Sequence, residues 1–467
     1  MLRSLSSGLT AMTQISQTVA DLRAGFDTGR TRPIEWRRAQ LHRLKAMIED
    51  NEGALLDALH ADLGKSAFEG RLTETGTVLA EITHVLRHLK GWMRPARVWT
   101  PLTNQPGYAM IRPEPLGVAL IIAPWNYPFY LLAMPLIGAI AAGNCAVLKP
   151  SEISAHTSRV LARLIPDFMD SQAIRVVEGD AETATELLEQ RFDHIFFTGG
   201  EHVGKIVMTA AAKHLTPVTL ELGGKSPAIV ASDCDLQLAA RRVAWGKFLN
   251  AGQTCIAPDY VLVEEKAADA FVAGLKTAIT DFFGADPKAS PDYPRLVSDR
   301  HFARVRDLIA GGTVAAGGEC DPETRYIAPT VLTGVDLQAP VMREEIFGPV
   351  LPVVPYRGIE EAIAFVTARP KPLALYLFSN AREIREKVLA GTSSGGACIN
   401  DVVMHLAVPE LPFGGVGASG MGACHGRASF DTFSHARSVL VKSEWPDLPL
   451  RYAPFTSAKF KWLRRLM

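Results

Sequence analysis

The sequence predicts an α/β fold made of a parallel, doubly wound sheet unit, a second α/β unit and a small β extension, and three features predict it. From Gly117 onward, short apolar runs alternate with helix-like stretches, the pattern of parallel strands joined by crossover helices. Polar, glycine-bearing motifs follow several of those runs, at the strand ends where such sheets present ligand sites. Two extended segments, 99–112 and 427–445, break the alternation with alternating apolar residues.

In chain order, MLRSLSSGLTAMTQISQTVADL lacks a continuous apolar core, so neither a signal peptide nor an anchor is expected, and a short transit segment stays open. The first ninety residues read as helical. WRRAQLHRLKAMIEDNEGALLDALHADLG sets Leu41, Leu44, Ile48, Leu55, Leu56 and Leu59 at helical spacing, with charge on the other face. Strands are expected at GVALIIA (117–123), CAVLK (145–149), IRVVEG (174–179), HIFFTG (194–199) and VTLELG (218–223). Helices near 130–142, 154–165, 181–190 and 201–213 separate them. After Gly224 a second series follows: PAIVAS, a helix 239–248, DYVLVEE, a helix 267–282, then LPVVPY, LALYLFS and GACIN. The run PFYLLAMPLIGAIAAGNCAVL (128–148) is long enough to span a bilayer. Pro135 interrupts it and Gly143-Asn144 is a helix stop, so a buried helix covering a sheet is the reading. Segments 99–112 and 427–445 are expected to pair as a small sheet at a subunit interface.

A chain of 467 residues with 48% hydrophobic residues and 49 basic against 49 acidic side chains is a soluble globular protein with no electrostatic footprint for nucleic acid. Cysteines 145, 234, 255, 320, 398 and 424 form no CxxC pair and no metal-like spacing with histidine. That usage fits a reducing compartment, the cytoplasm, and no metal is expected. Cys145 and Cys398 lie in apolar runs and read as core. The tail AKFKWLRRLM sets Phe460, Trp462, Leu463 and Leu466 beside Lys459, Lys461, Arg464 and Arg465. Packing on its own or a partner subunit is favoured over a membrane surface, because one short segment anchors weakly.

Six loops carry residues that suit chemistry. NAGQTCIAPDYVLV puts Cys255 between a polar loop and a buried strand, where it is either a small core residue or a reactive thiol. APWNYPF holds Asn126, a turn residue or a placed amide. In KPSE, Ser151 suits a helix N-cap and Glu152 the first turn, yet Lys149 before a helix start calls for an anion or a ribose hydroxyl nearby. FTGGEHVG frees backbone N–H groups at a helix start, although it is not the GxGxxG fingerprint. ELGGKSP places Glu221 at a strand end before two glycines, as a solvated charge or a base. EEIFGPVL sets Glu345 two residues before Phe347.

Taken together, PWNYPF, KPSE, FTGG, ELGGKSP, GQTC and EIFGPV stand in the order of the aldehyde dehydrogenase superfamily, which the chain resembles from about residue 15 to about 445. The blocks EPLGVALIIAPWNYPF, FTGG, NDVVMH and LPFGGVGASGMGACHGRASFDTFSH are similar to the class 3 branch of fatty, aromatic and coniferyl aldehyde dehydrogenases. The resemblance implies a Rossmann-like NAD(P)-binding domain (1–98 and 113–223), a catalytic domain (224–426), and oligomerisation strands with a C-terminal tail (99–112 and 427–467) in a homodimer. It makes Cys255 the nucleophile and Glu221 the general base, with Asn126 and the Cys255 N–H holding the oxyanion. Lys149 and Glu152 hold the adenine ribose, Gly199, Gly200 and Gly204 form the pyrophosphate turn, and Trp125, Leu222, Glu345 and Phe347 surround the nicotinamide. The cofactor is NAD, with NADP also open because Lys149 offsets Glu152. Tyr127, Met134, His405 and Phe413 line an aldehyde tunnel, and Cys424 is a rival nucleophile. A CoA-acylating enzyme and a non-catalytic binding member are the alternatives; Glu221 argues against the first, and the joint presence of Cys255, Asn126, Glu221 and Glu345 against the second.

Overall fold

The computed structural model describes residues 13–447 and 449–466, so the start of the N-terminal stretch, residues 1–12, lies outside the described residues. Helices α1 (Gln14–Asp27), α2 (Ile34–Leu63), α3 (Ala67–Gly70) and α4 (Gly76–Trp92) open the chain, as the 3.6-residue spacing predicts. Then come β1 (Ala96–Val98), β2 (Gly107–Pro115), β3 (Val118–Ile122), α5 (Tyr130–Ala142), β4 (Cys145–Lys149), α6 (Ala155–Phe168), β5 (Ile174–Val176), α7 (Ala181–Leu188), β6 (His194–Thr198), α8 (Glu201–Ala212) and β7 (Val218–Glu221). The second series is β8 (Pro227–Val230), α9 (Leu236–Phe248), β9 (Tyr260–Glu264), α10 (Ala268–Phe283), α11 (Asp299–Leu308), β10 (Thr313–Ala316), β11 (Cys320–Asp321), β12 (Tyr326–Ile327), β13 (Thr330–Thr333), α12 (Pro340–Arg343), β14 (Val350–Tyr356), α13 (Ile359–Thr367), β15 (Ala374–Phe378), α14 (Arg382–Gly391) and β16 (Gly396–Ile399). The chain ends with β17 (Gly420–Met421), α15 (Gly426–Thr432), β18 (Ser434–Lys442) and α16 (Ser457–Leu466).

The first sheet has the order β17-β7-β6-β3-β4-β5, parallel except for β17. Strand order reverses between β3 and β6, and beyond their carboxyl ends such sheets open a crevice. The second sheet runs β10-β13-β14-β9-β8-β15-β16, parallel except for β10. Each sheet has its own hydrophobic core, and Leu406 and Phe413 pack against both.

Helix α5 runs through Pro135 instead of stopping there, and Gly143, at φ 90°, ends it. Every residue of α5 but Leu131 is buried; apolar contact on all sides outweighs the roughly 3 kcal/mol that an interior proline costs. Helix α6 starts at Ala155, so Ser151 does not cap it; Ser151 Oγ accepts from Ile153 N–H instead. The cap comes from Asp62 at the end of α2, whose carboxylate accepts from His156 N–H at 3.0 Å and Thr157 N–H at 2.8 Å.

The two extended segments do pair within one chain, as the three-stranded sheet β1-β2-β18, with β18 matched to β2 from Ser434↔Pro115 to Lys442↔Gly107. Their limits differ from those expected: residues 426–432 are helical, and 99–106 form no strand. Strand β17, which the sequence division places in the second unit (224–426), pairs with β7 of the first sheet. Cys145 is buried, but Cys398, expected in the core, sits partly exposed because β16 is an edge strand. Residues 457–466 form α16, with Phe460, Trp462 and Leu463 exposed. Among the described residues no helix is long and apolar enough to cross a membrane.

Candidate active site

Cys255 is presented by a strained turn. After α9, Asn250 and Ala251 both hold φ near 51°, a left-handed conformation costly for residues with a side chain, and Gly252 follows at 74°. Surrounding bonds hold this turn: Asn250 N–H donates to Glu69 Oε1 at 2.8 Å, Gln253 Nε2 to Asn250 O at 3.0 Å, and Val297 N–H to Gln253 Oε1 at 3.0 Å. Next to the thiol, Thr254 Oγ1 lies 2.6 Å from the Tyr127 hydroxyl.

Asn126 is buried beside this turn. Its side-chain amide donates one hydrogen to Gln253 O at 2.9 Å, which leaves the second N–H of the group for another acceptor. Its backbone carbonyl accepts from Asn250 Nδ2 at 2.8 Å and Lys65 Nζ at 3.0 Å. Lys65 is fully buried, pairs with Glu74 at 2.6 Å and sits 3.9 Å over the Tyr127 ring. Glu74 in turn accepts from Phe129 N–H at 2.9 Å and Tyr130 N–H at 3.1 Å. A buried ion pair between the α2–α3 loop and the π-helical turn after α3 thus fixes the 126–130 loop.

Two cavities meet at Cys255. One is apolar, walled by Tyr127, Tyr130, Met134, Trp245, Phe413 and Cys424, with Glu221 and Cys255 also in its lining. The other is a more polar cleft at the crevice of the first sheet, lined by Trp125, Asn126, Gly199, Gly200, Gly223, Glu345 and Phe347. Leu131, Thr198, Glu221, Leu222 and Cys255 line both. Glu221 Oε2 and Thr198 Oγ1 are buried there with no hydrogen-bond partner. Polar atoms left so are costly unless a ligand or water meets them.

Burial governs the charges. It pushes the Glu221 carboxyl well above its ordinary range. The Cys255 thiol is pushed up to about 12 by burial first, then by Glu345 and Glu221. Glu345 is raised to about 8 by burial and by Asp259, and its carboxylate lies against Gly223, where a β-carbon would meet Oε2 at 2.0 Å. Only glycine permits that approach.

Of the remaining sequence candidates, Gly200 is the N-cap of α8 and supplies no side-chain cap, so the first N–H groups of that helix are available to an anion at the cleft. Gly204 packs α8 against Leu222, whose Cδ2 a β-carbon would approach to 2.8 Å. Phe347, at φ 47°, meets Trp125 edge-on at 5.4 Å. Lys149 and Glu152 lie apart from both cavities: Lys149 Nζ donates to Pro150 O at 2.9 Å and approaches Glu152 at 3.4 Å. His405 does not join the cavity wall; its ring lies 6.1 Å behind Phe413 and against Gly396. Cys424 Sγ lies 4.0 Å from Glu221 Oε1. Residues not singled out in the sequence are His425, bonded to the Tyr130 hydroxyl at 2.8 Å, His301 and Arg304 on the cleft, and the supports Lys65, Glu69 and Glu74.

These features can be set beside known proteins. A family model described as the aldehyde dehydrogenase family matches residues 8–439. The dimeric, NADP-preferring aldehyde dehydrogenase of Rattus norvegicus is 53% identical over 92% of this chain and 95% of its own. Aldehyde dehydrogenase family 3 member B1 of Homo sapiens is 51% identical over 97% of each. The substrate-bound structure of Staphylococcus aureus AldH superposes with a TM-score of 0.95 at 46% identity, covering 97% of this chain and 99% of that one.

Proposed function

The chain belongs to the aldehyde dehydrogenase family, and from that premise we propose that it oxidises medium-chain aliphatic or aromatic aldehydes to carboxylic acids through a thioester on Cys255. It is an NAD(P)-dependent aldehyde dehydrogenase. The observation that carries the finer reading is the meeting of an apolar cavity and a more polar cleft at one thiol and one buried carboxyl.

The cleft residues fit the cofactor. The uncapped start of α8 suits a pyrophosphate, Gly223 makes room for Glu345, and Trp125 and Phe347 give flat apolar walls for a ring. When bound there, NAD(P) supplies the hydride acceptor.

Cys255 gives its proton to the Glu221 carboxylate, which passes it to solvent before hydrolysis, and the sulfur adds to the aldehyde carbon, giving a tetrahedral alkoxide that can release hydride, which a planar carbonyl cannot. The free Asn126 N–H and the Cys255 backbone N–H hold that oxygen; losing one such donor costs on the order of 10²–10³ in rate. An uncharged donor is apt, since a fixed cation would stabilise the alkoxide and oppose hydride departure. The thioester left on Cys255 is then hydrolysed: Glu221 takes a proton from water, whose oxygen attacks the acyl carbon as the thiolate leaves. The raised pKa of Glu221 suits a base that must collect a proton, and its free Oε2 can face that water. A base placed for water favours hydrolysis over transfer of the acyl group to coenzyme A. NAD ranks ahead of NADP on the family resemblance alone, which sets Glu152 at the adenine ribose beyond the cleft, where a carboxylate disfavours a 2′-phosphate.

The walls of the apolar cavity support the substrate class. The exposed faces of β2 and β18, with Tyr108, Ile111 and Leu440, support a homodimer built on the three-stranded sheet, as does a relative named dimeric. The cysteine usage supports a cytoplasmic home.

NAD and NADP reduction measured against a panel of aliphatic and aromatic aldehydes tests the substrate class; a preference confined to short, polar aldehydes would overturn it. Cys255→Ala should abolish turnover and spare NADH binding. Glu221→Gln should give a burst of about one NADH per site and then a slow phase. No burst with a normally reactive thiol would move the chief role of Glu221 to a step at or before hydride transfer.

A further inference from the structure

We propose that His84, His88 and Glu410 form a binding site for a transition-metal dication, zinc being the type, which ties the loop beside the substrate cavity to α4. The two histidines stand one turn apart on α4, so their rings share a face and lie 4.3 Å apart between centroids. His88 Nδ1 is 2.8 Å from His84 O, a carbonyl that can only accept. That bond places the proton on Nδ1 and leaves the Nε2 lone pair free, the arrangement by which metal-binding histidines are usually oriented. His84 Nε2 is buried, has no hydrogen-bond partner and lies 3.5 Å from Glu410 Oε1.

One donor atom from each of the three residues lies within 4.8 Å of the others. Ligand atoms at bond lengths of 2.0–2.2 Å around a tetrahedral ion stand about 3.4 Å apart, so the His84–Glu410 gap already matches and a turn of the exposed Glu410 side chain closes the rest. Two imidazoles and one carboxylate select zinc, nickel or copper over magnesium or calcium. Arg87, Lys45 and Glu49 line the same surface depression, and the two cations there oppose the ion.

The site has a structural consequence. Pro409 is held against Gly426, whose β-carbon would meet Pro409 O at 2.0 Å, so Glu410 is presented to α4 before any ion arrives. Leu406 and Ala407, just upstream of Glu410, and Phe413, just downstream, wall the apolar cavity. An ion joining Glu410 to α4 therefore pins that wall. In the sequence the two histidines stand four residues apart, a metal-like spacing on a helix, but Glu410 joins them only through the fold.

The test is calorimetric titration of the chelator-treated full chain with zinc, together with the visible spectrum of the cobalt form. One ion per chain is expected, with affinity weakened about tenfold or more in His88→Gln and in Glu410→Gln. Glu410 is exposed, so its variant folds even if a histidine variant does not. Cys255→Ala, run in parallel, should bind the ion as the native chain does. Absence of binding at high micromolar zinc, binding unchanged in both ligand variants, or binding lost only in Cys255→Ala would each overturn the proposal.

Discussion

Replacing Lys65 by methionine removes a charge from the foundation of the site while nearly keeping the side chain's shape. Lys65 is fully buried and gives its ammonium to Glu74 at 2.6 Å and to Asn126 O at 3.0 Å. Its loss leaves the Glu74 carboxylate buried with only the N–H groups of Phe129 and Tyr130. Removing one partner of a buried pair costs about 3–5 kcal/mol. The two remaining N–H bonds hold part of the charge, and Asn126 O keeps its bond from Asn250 Nδ2 at 2.8 Å, so the lower end, about 3 kcal/mol, applies. For a unit of this size that lowers Tm by about 6–12 °C. In Lys65→Met/Glu74→Gln the neutral amide can still accept an N–H, so most of the loss returns, giving a coupling of at least about 2 kcal/mol. Thermal melts and urea curves of the four proteins measure this. Turnover should fall in the single variant too, since Asn126 loses a fixed anchor. A single variant melting within about 1 °C of the native chain, or a double variant no better than the single, would refute the reasoning.

In Gly223→Ala, the new methyl meets Glu345 Oε2 at 2.0 Å, so the carboxylate must leave its seat; NADH affinity, read by fluorescence titration, should fall about tenfold while the fold survives. Glu81 is raised to about 7, by burial first, although it accepts Gly426 N–H at 2.7 Å. The folded chain then binds the Glu81 proton more tightly than the unfolded one, so this group's contribution to stability falls as pH rises from 4.5 to 7 and stays lost above it. Glu81→Gln should therefore stabilise by up to about 3 kcal/mol near pH 8 and by about 1 kcal/mol near pH 5, measured by urea midpoints at the two pH values.

The strands and helices were legible where a period or an apolar run was present: β3, β4, β6, β7 and their crossover helices fall within a few residues of the expected limits. The reactive loops were legible as motifs at strand ends. What the letters did not show depends on distant partners. Asp62 caps a helix that starts 93 residues on, and nothing in KPSE says that Ser151 will turn aside to Ile153. Lys65, Glu69 and Glu74 read as charges in a helical stretch, whose usual place is solvent. They are buried because the 126–130 and 250–253 loops descend on them. His405 and Phe413 looked equivalent in sequence, yet one walls the cavity and the other backs it.

Protonation limits the reactivity of Cys255, the proposed nucleophile. Cys255 is held near 12 by burial and by two carboxyl groups, Glu345 and Glu221, so the thiol of the free chain is protonated and slow at neutral pH. The charged neighbours that act on it most are both carboxyl groups. On the proposed function the cleft it shares with Glu345 takes the cofactor, and oxidised nicotinamide carries a positive charge where the reduced form carries none. A cation facing the thiol favours the thiolate, by about 1.4 kcal/mol for each unit of pKa. Iodoacetamide should therefore alkylate Cys255 faster with NAD⁺ present than without it, and the rate should climb with pH in both cases. NADH should fail to accelerate it, which separates charge from mere occupancy of the cleft. Peptide mapping must show the label on Cys255 and not on Cys424, which burial also pushes well above the ordinary thiol range. Equal acceleration by NAD⁺ and NADH would show that closure of the cleft, not its electrostatics, frees the thiol.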